Sequence, residues 1–222
     1  MSRKARNIKD LQRRQPSRSP YDRVLIVCEG GKTEPNYFRA LTLALRLNTA
    51  NIEVDGSSGS SPRSVVIYAK KRYNEDLKQN GSGNGFDRVY CVFDQDEHPT
   101  YSEALSLIRT DQNNIFYGIT SVPCFEFWLL LHFTFTTRPI ARTGERSSGD
   151  VTKDELKKFL PMYEKGDKDI YTKIKEYTDI AIQRAYKANE AASKVNTNNP
   201  STLVHTLVEY LRRLMHKYSP TI

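Results

Sequence analysis

The sequence predicts an α/β fold in which a four-stranded, mostly parallel sheet is flanked by helices and followed by a helical C-terminal region. Short apolar runs alternate with longer amphipathic stretches from Arg23 onward, which is the pattern of β-α-β units. The first run, residues 24–28, is apolar throughout, as expected for a strand in a sheet that has helices on both faces. After about Thr137 the periodicity is helical and no further strand is predicted.

The individual elements follow from local signals in chain order. Thr33 is predicted to cap the first helix, and Ser61 before Pro62 is predicted to open the second. The aromatic-rich segment 123–133 is predicted to be a buried helix, because its length and leucines favour a helix over a strand. The four strands are predicted at residues 24–28, 52–55, 88–93 and 114–120.

The last helix is predicted from a start signal and an apolar stripe. Pro200 and Ser201 form the start signal, and the segment 201–215 that follows has helical spacing of its apolar residues. The side chains expected to face the core are Leu203, Val204, Leu207, Val208, Leu211, Leu214 and Met215.

Composition divides the 222 residues into three parts. Residues 1–23 contain eight of the 34 basic residues and two of the 26 acidic residues, so they carry most of the net charge of +8. We therefore expect a disordered basic arm at residues 1–22, an α/β domain at 23–136 and a helical C-terminal region at 137–222 that packs on the core. The arm could neutralise nucleic-acid phosphates or could serve only solubility, and both interpretations stay open.

The three cysteines favour a reduced, cytoplasmic setting. Cys28, Cys91 and Cys124 are widely spaced and form no C-x-x-C pair, so a disulfide framework or a zinc knuckle is not indicated. They are expected to be small core residues rather than ligands. The sequence also contains no apolar run long enough for a membrane span and no signal peptide. Homo-oligomerisation stays open.

The turn Gly30-Gly31-Lys32-Thr33 ends like a P-loop but lacks the start of one. A P-loop has a glycine five positions before the glycine that precedes the lysine, and that position here is Ile26, inside the first predicted strand. The turn is therefore predicted to connect a strand to a helix. Lys32 is then well placed to bind a phosphate near the helix N-terminus, although a solvated lysine is an equal alternative.

Three carboxylates follow the ends of two predicted strands. Glu29 follows the first strand, and Asp94 and Asp96 follow the third. Because ligands bind at the carboxyl ends of parallel strands, we expect the three to lie together. If the strand conformation continues past Phe93, both aspartates point to one side and supply oxygen ligands for Mg²⁺ or Mn²⁺. The alternatives are an acidic turn that caps a helix and an ordinary glycine turn.

Three further residues are candidates for the same site. Glu34 could be an additional metal ligand or could only favour the helix dipole. Glu126 lies among apolar residues, so its carboxylate must reach the acidic site or pair with a basic side chain. His98 could touch phosphate or carry a proton, but capping of a helix and exposure to solvent are equally good interpretations. His132 and His205 are expected to be core histidines.

The order of these motifs resembles a known domain. Glu29-Gly30 after the first strand and Asp94-Gln95-Asp96 after the third resemble the Toprim domain of topoisomerases, primases and OLD-type nucleases, over roughly residues 23–120. The resemblance implies a Toprim-like sheet in which the two aspartates bind Mg²⁺ and the glutamate acts in acid/base chemistry or as a ligand.

Three longer strings in the sequence are VCEGGKTEPNYF at 27–38, FDQD at 93–96 and SVPCFEFWLLLHF at 121–133. They give a more specific resemblance to the RloB family of Toprim-like proteins from bacterial antiphage and abortive-infection loci. Membership implies a nuclease or toxin role, with an ATPase encoded alongside as a partner that could control it.

The sequence thus predicts a Mg²⁺-dependent nuclease that cleaves DNA or RNA, including tRNA as one candidate substrate. Its catalytic residues would be Glu29, Asp94 and Asp96. One rival is a catalytically silent module that binds nucleic acid or an ATPase. A haloacid-dehalogenase-like phosphatase is disfavoured, because such an enzyme has its D-x-D pair after the first strand, where this chain has Glu29.

Overall fold

A mixed sheet of five strands forms the centre of the protein in the computed structural model. The structure describes residues 21–47, 51–81, 83–96, 98–112 and 114–218, so all of the expected basic arm except Tyr21 and Asp22 lies outside the described residues. The strands are β1 (Val24–Cys28), β2 (Ile52–Asp55), β3 (Arg88–Asp94), β4 (Phe116–Val122) and β5 (Ser201–Thr202). Their order across the sheet is β2-β1-β3-β4-β5.

The first four strands are parallel, which confirms the predicted parallel α/β sheet. The predicted count of four strands is wrong, because β5 adds an antiparallel edge strand in which Thr202 pairs with Ser121 and Ser201 with Val122. A strand of two residues is too short to show an apolar pattern, so the expectation that no strand follows Thr137 failed there. The fourth strand also lies two residues later than the predicted range 114–120.

Helices cover both faces of the sheet within the described part of the chain. They are α1 (Thr33–Ala44), α2 (Pro62–Asn80), α3 (Tyr101–Arg109), α4 (Glu126–Leu130), α5 (Ser148–Lys157), α6 (Ile170–Ile174), α7 (Thr178–Lys194) and α8 (Val204–Tyr218), with a 3₁₀ turn at Lys175–Tyr177. None of the described helices has the length and apolar character that a membrane crossing requires.

Alternation along the strands divides the apolar side chains between two cores. Leu25 and Val27 of β1 face α2 and α3, while Val24, Ile26 and Cys28 face α1 and the C-terminal helices. All five side chains of β1 have no exposed surface, as expected for a central parallel strand. The C-terminal helices therefore share a hydrophobic core with the sheet.

The helix starts agree with the sequence in one case and differ in two. Ser61 caps α2 as predicted, since its side chain accepts a hydrogen bond from the backbone N–H of Ser64. The predicted cap Thr33 is instead the first residue of α1, and Lys32 occupies the cap position without a side-chain hydrogen bond. Ser201 does not open α8, because it lies in β5; Leu203 before the helix is exposed rather than on the inner stripe.

The predicted helix at 123–133 is present but shorter than expected, since α4 has only five residues. All five side chains of α4 are buried, including the charged Glu126. Cys28, Cys91 and Cys124 are free and buried, in agreement with their expected place in the core.

The carboxylate of Asp76 connects α2 to the residues that precede β1 and β3, and removal of this carboxylate is expected to destabilise the protein. Both of its oxygens accept hydrogen bonds of 2.9 Å from the Arg23 guanidinium, and one also accepts a bond of 3.1 Å from the N–H of Phe86. Removing the buried carboxylate leaves these donors without it, so we expect Asp76→Ala to lower the free energy of unfolding by about 3 kcal/mol.

Denaturant unfolding measures this change. The matched control is Glu75→Gln, which removes a neighbouring charge from an exposed pair with Lys71 and should change the free energy by less than about 0.5 kcal/mol. Equal effects of the two substitutions would contradict the assigned role of Asp76.

Candidate active site

The site lies where the strand order reverses. β1 has β2 on one side and β3 on the other, and the crevice outside the carboxyl ends of β1 and β3 is the place where doubly wound sheets bind ligands. Glu29 follows β1 and Asp94 is the last residue of β3. The N–H of Asp94 donates to Oε2 of Glu29 at 3.0 Å, and the N–H of Glu29 donates to the carbonyl of Val92 at 2.9 Å. The two strand ends are thereby joined.

A cavity of about 440 Å³ opens at this edge. All seven residues that the sequence singled out line it, although they come from three separate segments of the chain. These residues are Glu29, Lys32, Glu34, Asp94, Asp96, His98 and Glu126. Lys165 and Ser60 line it as well.

The two glycines after Glu29 are explained by close packing of two turns. Gly30 has a φ of 73°, which favours glycine, and its N–H donates to the carbonyl of Gly59 at 3.0 Å. A Cβ on Gly56 would lie 2.7 Å from Cγ of Pro35 and 2.8 Å from the carbonyl oxygen of Gly30. The turns after β1 and β2 therefore pack against each other, and the Gly-Gly pair serves this contact rather than a P-loop.

Mutual repulsion and burial change the acidity of the carboxyl groups in the cavity. The pKa of Asp94 is raised well above its usual value by burial, and then by the charges of Glu34 and Glu126. Burial raises the pKa of Glu34 to about 8, with Glu126 and Glu29 adding to the effect. The pKa of Glu29 is also raised, chiefly by burial. Burial and mutual repulsion therefore favour the protonated forms of these carboxyl groups in the metal-free protein.

The loop after β3 places Asp96 and His98 by local bonds rather than by strand alternation. The strand conformation does not continue to Asp96, which has a φ of 23° and donates its N–H to the carbonyl of Pro123 at 3.0 Å. The carboxylate of Asp96 accepts a bond of 3.2 Å from the Ser148 hydroxyl. The Nδ1 atom of His98 accepts a hydrogen bond of 3.3 Å from the N–H of Thr100, the residue before α3. His98 therefore stabilises the start of α3, and it also lines the cavity.

The C-terminal region supplies residues that sequence reasoning missed. The hydroxyl of Tyr163 donates to Oε1 of Glu126 at 3.0 Å, so the buried carboxylate is paired with a phenol rather than with a basic side chain. Lys165 lies two residues further on, and its pKa is raised, first by the charge of Glu126. Both residues come from a polar stretch between α5 and α6 that has no periodicity, so no signal in the sequence could have found them.

The chemistry of these donors fits a hard divalent cation. Carboxylate oxygens are the ligands that Mg²⁺ and Mn²⁺ take, and a bound cation would favour the ionised forms of Asp94 and Glu34, which burial and mutual repulsion disfavour. Among the described residues, however, no group of three His, Cys, Asp or Glu side chains is close enough together to hold a metal ion. Binding would thus require the side chains to move toward one another.

Comparison with known proteins gives one match. The family model described as RloB-like protein matches residues 24–211, which is most of the chain. No curated protein and no solved structure is significantly similar to the chain.

Proposed function

The chain belongs to the RloB-like protein family, and from the carboxylates that its fold brings to one edge of the sheet we propose that it is a Mg²⁺- or Mn²⁺-dependent nuclease. The observation that carries the proposal is the junction of Glu29 and Asp94 at the point of strand reversal, inside a cavity rich in carboxylates. The reaction would be cleavage of a phosphodiester bond in DNA or RNA.

Each acidic residue has a role in this proposal. Asp94 and Asp96 would hold the metal, with Glu34 as an additional ligand. When bound, the metal would stabilise charge on the scissile phosphate and lower the pKa of the attacking water. Glu29 would act as a ligand or as the general base, because its raised pKa is closer to neutral pH, where a base works best. The bond from the Asp94 N–H would hold the Glu29 carboxylate in place.

Positive groups near the cavity would bind the substrate. Lys32 stands at the N-terminal end of α1, where the helix dipole also favours a phosphate. The basic residues of the arm, 1–22, would add contacts to the nucleic-acid backbone that carry no sequence preference. The resemblance to antiphage systems supports a role as a defence effector with a partner ATPase.

The rival function is a silent module that binds nucleic acid or an ATPase without cleavage. The observation that favours it is that no three candidate ligands converge among the described residues. In that case the acidic edge would be retained for folding or binding, and no metal would be needed.

A cleavage assay separates the two functions. Labelled single- and double-stranded DNA and RNA, including tRNA, are incubated with the protein in Mg²⁺ or Mn²⁺ or in EDTA, beside the Asp94→Ala/Asp96→Ala variant. We expect cleavage of at least one substrate that needs both the metal and the aspartates. Cleavage by the double variant would refute the assigned site, and no cleavage of any substrate, even with the partner ATPase added, would establish the silent module.

A further inference from the structure

The segment at residues 158–169, between α5 and α6, contributes the side chain of Lys165 to the wall of the candidate active site. We propose that Lys165 in this segment binds a phosphate oxygen of the substrate, and that it does so together with Lys32. The proposal rests on the proposed nuclease function, and it adds a phosphate-binding residue that lies outside the α/β domain. No pattern in the sequence placed this region at the site.

Contacts on both sides of Lys165 fix its position. On one side Tyr163, which is 1% exposed, donates its hydroxyl to Glu126 at 3.0 Å. On the other side the N–H of Gly166 donates to Oγ1 of Thr33 at 3.0 Å, and its carbonyl accepts from Nδ2 of Asn36 at 2.9 Å. These bonds attach the backbone around Lys165 to α4 and to the first turn of α1.

Gly166 brings the two lysines to neighbouring positions. Its φ of 90° favours glycine, and a Cβ there would lie 3.1 Å from Cβ and 3.2 Å from Cδ of Lys32. The aliphatic stem of Lys32 therefore lies against the residue next to Lys165. Both lysines line the cavity.

Neither lysine forms a salt bridge with a carboxylate in the part of the chain that the structure describes. Within the described residues, no carboxylate oxygen lies within 4.0 Å of the ammonium nitrogen of Lys32 or Lys165. Lys165 nevertheless lies in the field of Glu126, Asp94 and Glu34, which raise its pKa and keep it protonated. A protonated lysine without a bonded carboxylate at a cavity wall is suited to bind an anion.

Lys165 should raise the affinity of the site for phosphate and lower its affinity for a divalent cation. It attracts the phosphate and repels a divalent cation, whereas a residue that only holds the fold together would affect both ligands in the same direction. Removing its charge should therefore weaken phosphate binding by about tenfold, the size expected for one charge-assisted hydrogen bond. The same change should tighten Mn²⁺ binding roughly threefold.

The test compares Lys165→Met with wild type in two binding experiments that need no cleavage. Affinity for inorganic phosphate is measured by ³¹P NMR titration in Mg²⁺, and affinity for Mn²⁺ by electron paramagnetic resonance of the free ion. Lys165→Arg should keep wild-type values. Lys168→Ala is the matched control, because Lys168 is an exposed lysine of the same segment that does not line the cavity, and it should leave both affinities unchanged.

The outcomes are distinct from those of the nuclease assay. Opposite shifts of the two affinities in Lys165→Met support the proposal even if no nucleic acid is cleaved, in which case the nuclease function alone fails. A loss of both affinities, with a lowered unfolding temperature, would make Lys165 a structural residue. Unchanged phosphate affinity would likewise overturn the proposal, whatever the wild-type protein cleaves.

Discussion

Asp94→Asn is expected to lower the rate of metal-dependent cleavage roughly 1000-fold while it raises the stability of the metal-free protein. The amide keeps the size of the side chain but removes the negative charge that would hold the metal. It also removes a carboxyl group whose ionised form is disfavoured first by burial and then by repulsion from Glu34 and Glu126. These effects raise the pKa of Asp94, and the neutral amide should therefore fold more stably.

Initial cleavage rates and thermal unfolding without metal measure the two effects. Glu75→Gln serves as control, because it removes a carboxylate from the exposed part of α2 and should change neither quantity appreciably. A variant whose rate stays within about tenfold of wild type would exclude Asp94 as a metal ligand. Lower stability would instead show that the carboxylate is needed for folding.

The affinity for Mn²⁺ is expected to fall about 50-fold between pH 8 and pH 6. Glu34 has a pKa of about 8 in the folded protein, so at pH 6 nearly all molecules carry a proton on a carboxyl group that must be ionised to bind the metal. Calorimetric titrations at several pH values, in two buffers of different ionisation enthalpy, measure both the affinity and the proton released.

The stability of the metal-free protein should change with pH in the opposite direction. Since folding raises the pKa of Glu34 from 4.5 to about 8, its contribution to stability is present below pH 4.5 and is lost as pH rises through 8. Mn²⁺ at 100 times its dissociation constant should then restore about 2.7 kcal/mol at pH 8. Glu34→Gln should flatten both profiles, and a wild-type affinity that does not depend on pH would refute the link between Glu34 and the metal.

The parts of the fold that could be predicted are those with strong periodic or turn signals. β1 and β2 have the predicted bounds, and Ser61 caps α2 as its pairing with Pro62 indicated. The signals failed where an element is short or is held by distant contacts. Thr33 has the chemistry of a helix cap, but its hydroxyl accepts from Gly166 instead, 133 residues away in the chain.

The candidate site could be predicted only for residues that sit on recognisable elements. Glu29 and Asp94 follow strands, and the parallel topology alone predicts their meeting. Asp96 lies in the cavity for a different reason from the expected alternation, because its backbone turns at a positive φ. Tyr163 and Lys165 enter from an irregular segment whose path depends on tertiary contacts, so spacing in the sequence held no information about them.

The position of Gly166 late in the chain also bears on the order in which the parts of the site are synthesised. A chain that has emerged from the ribosome only as far as β4 contains Glu29 and Asp94 and the two strands that carry them. It has neither the phenol that holds Glu126 nor the lysine at the cavity wall, because both belong to the segment that is made later. Glu29 and Asp94 are thus made before Lys165, and only a chain that extends past Gly166 contains all the residues of the cavity.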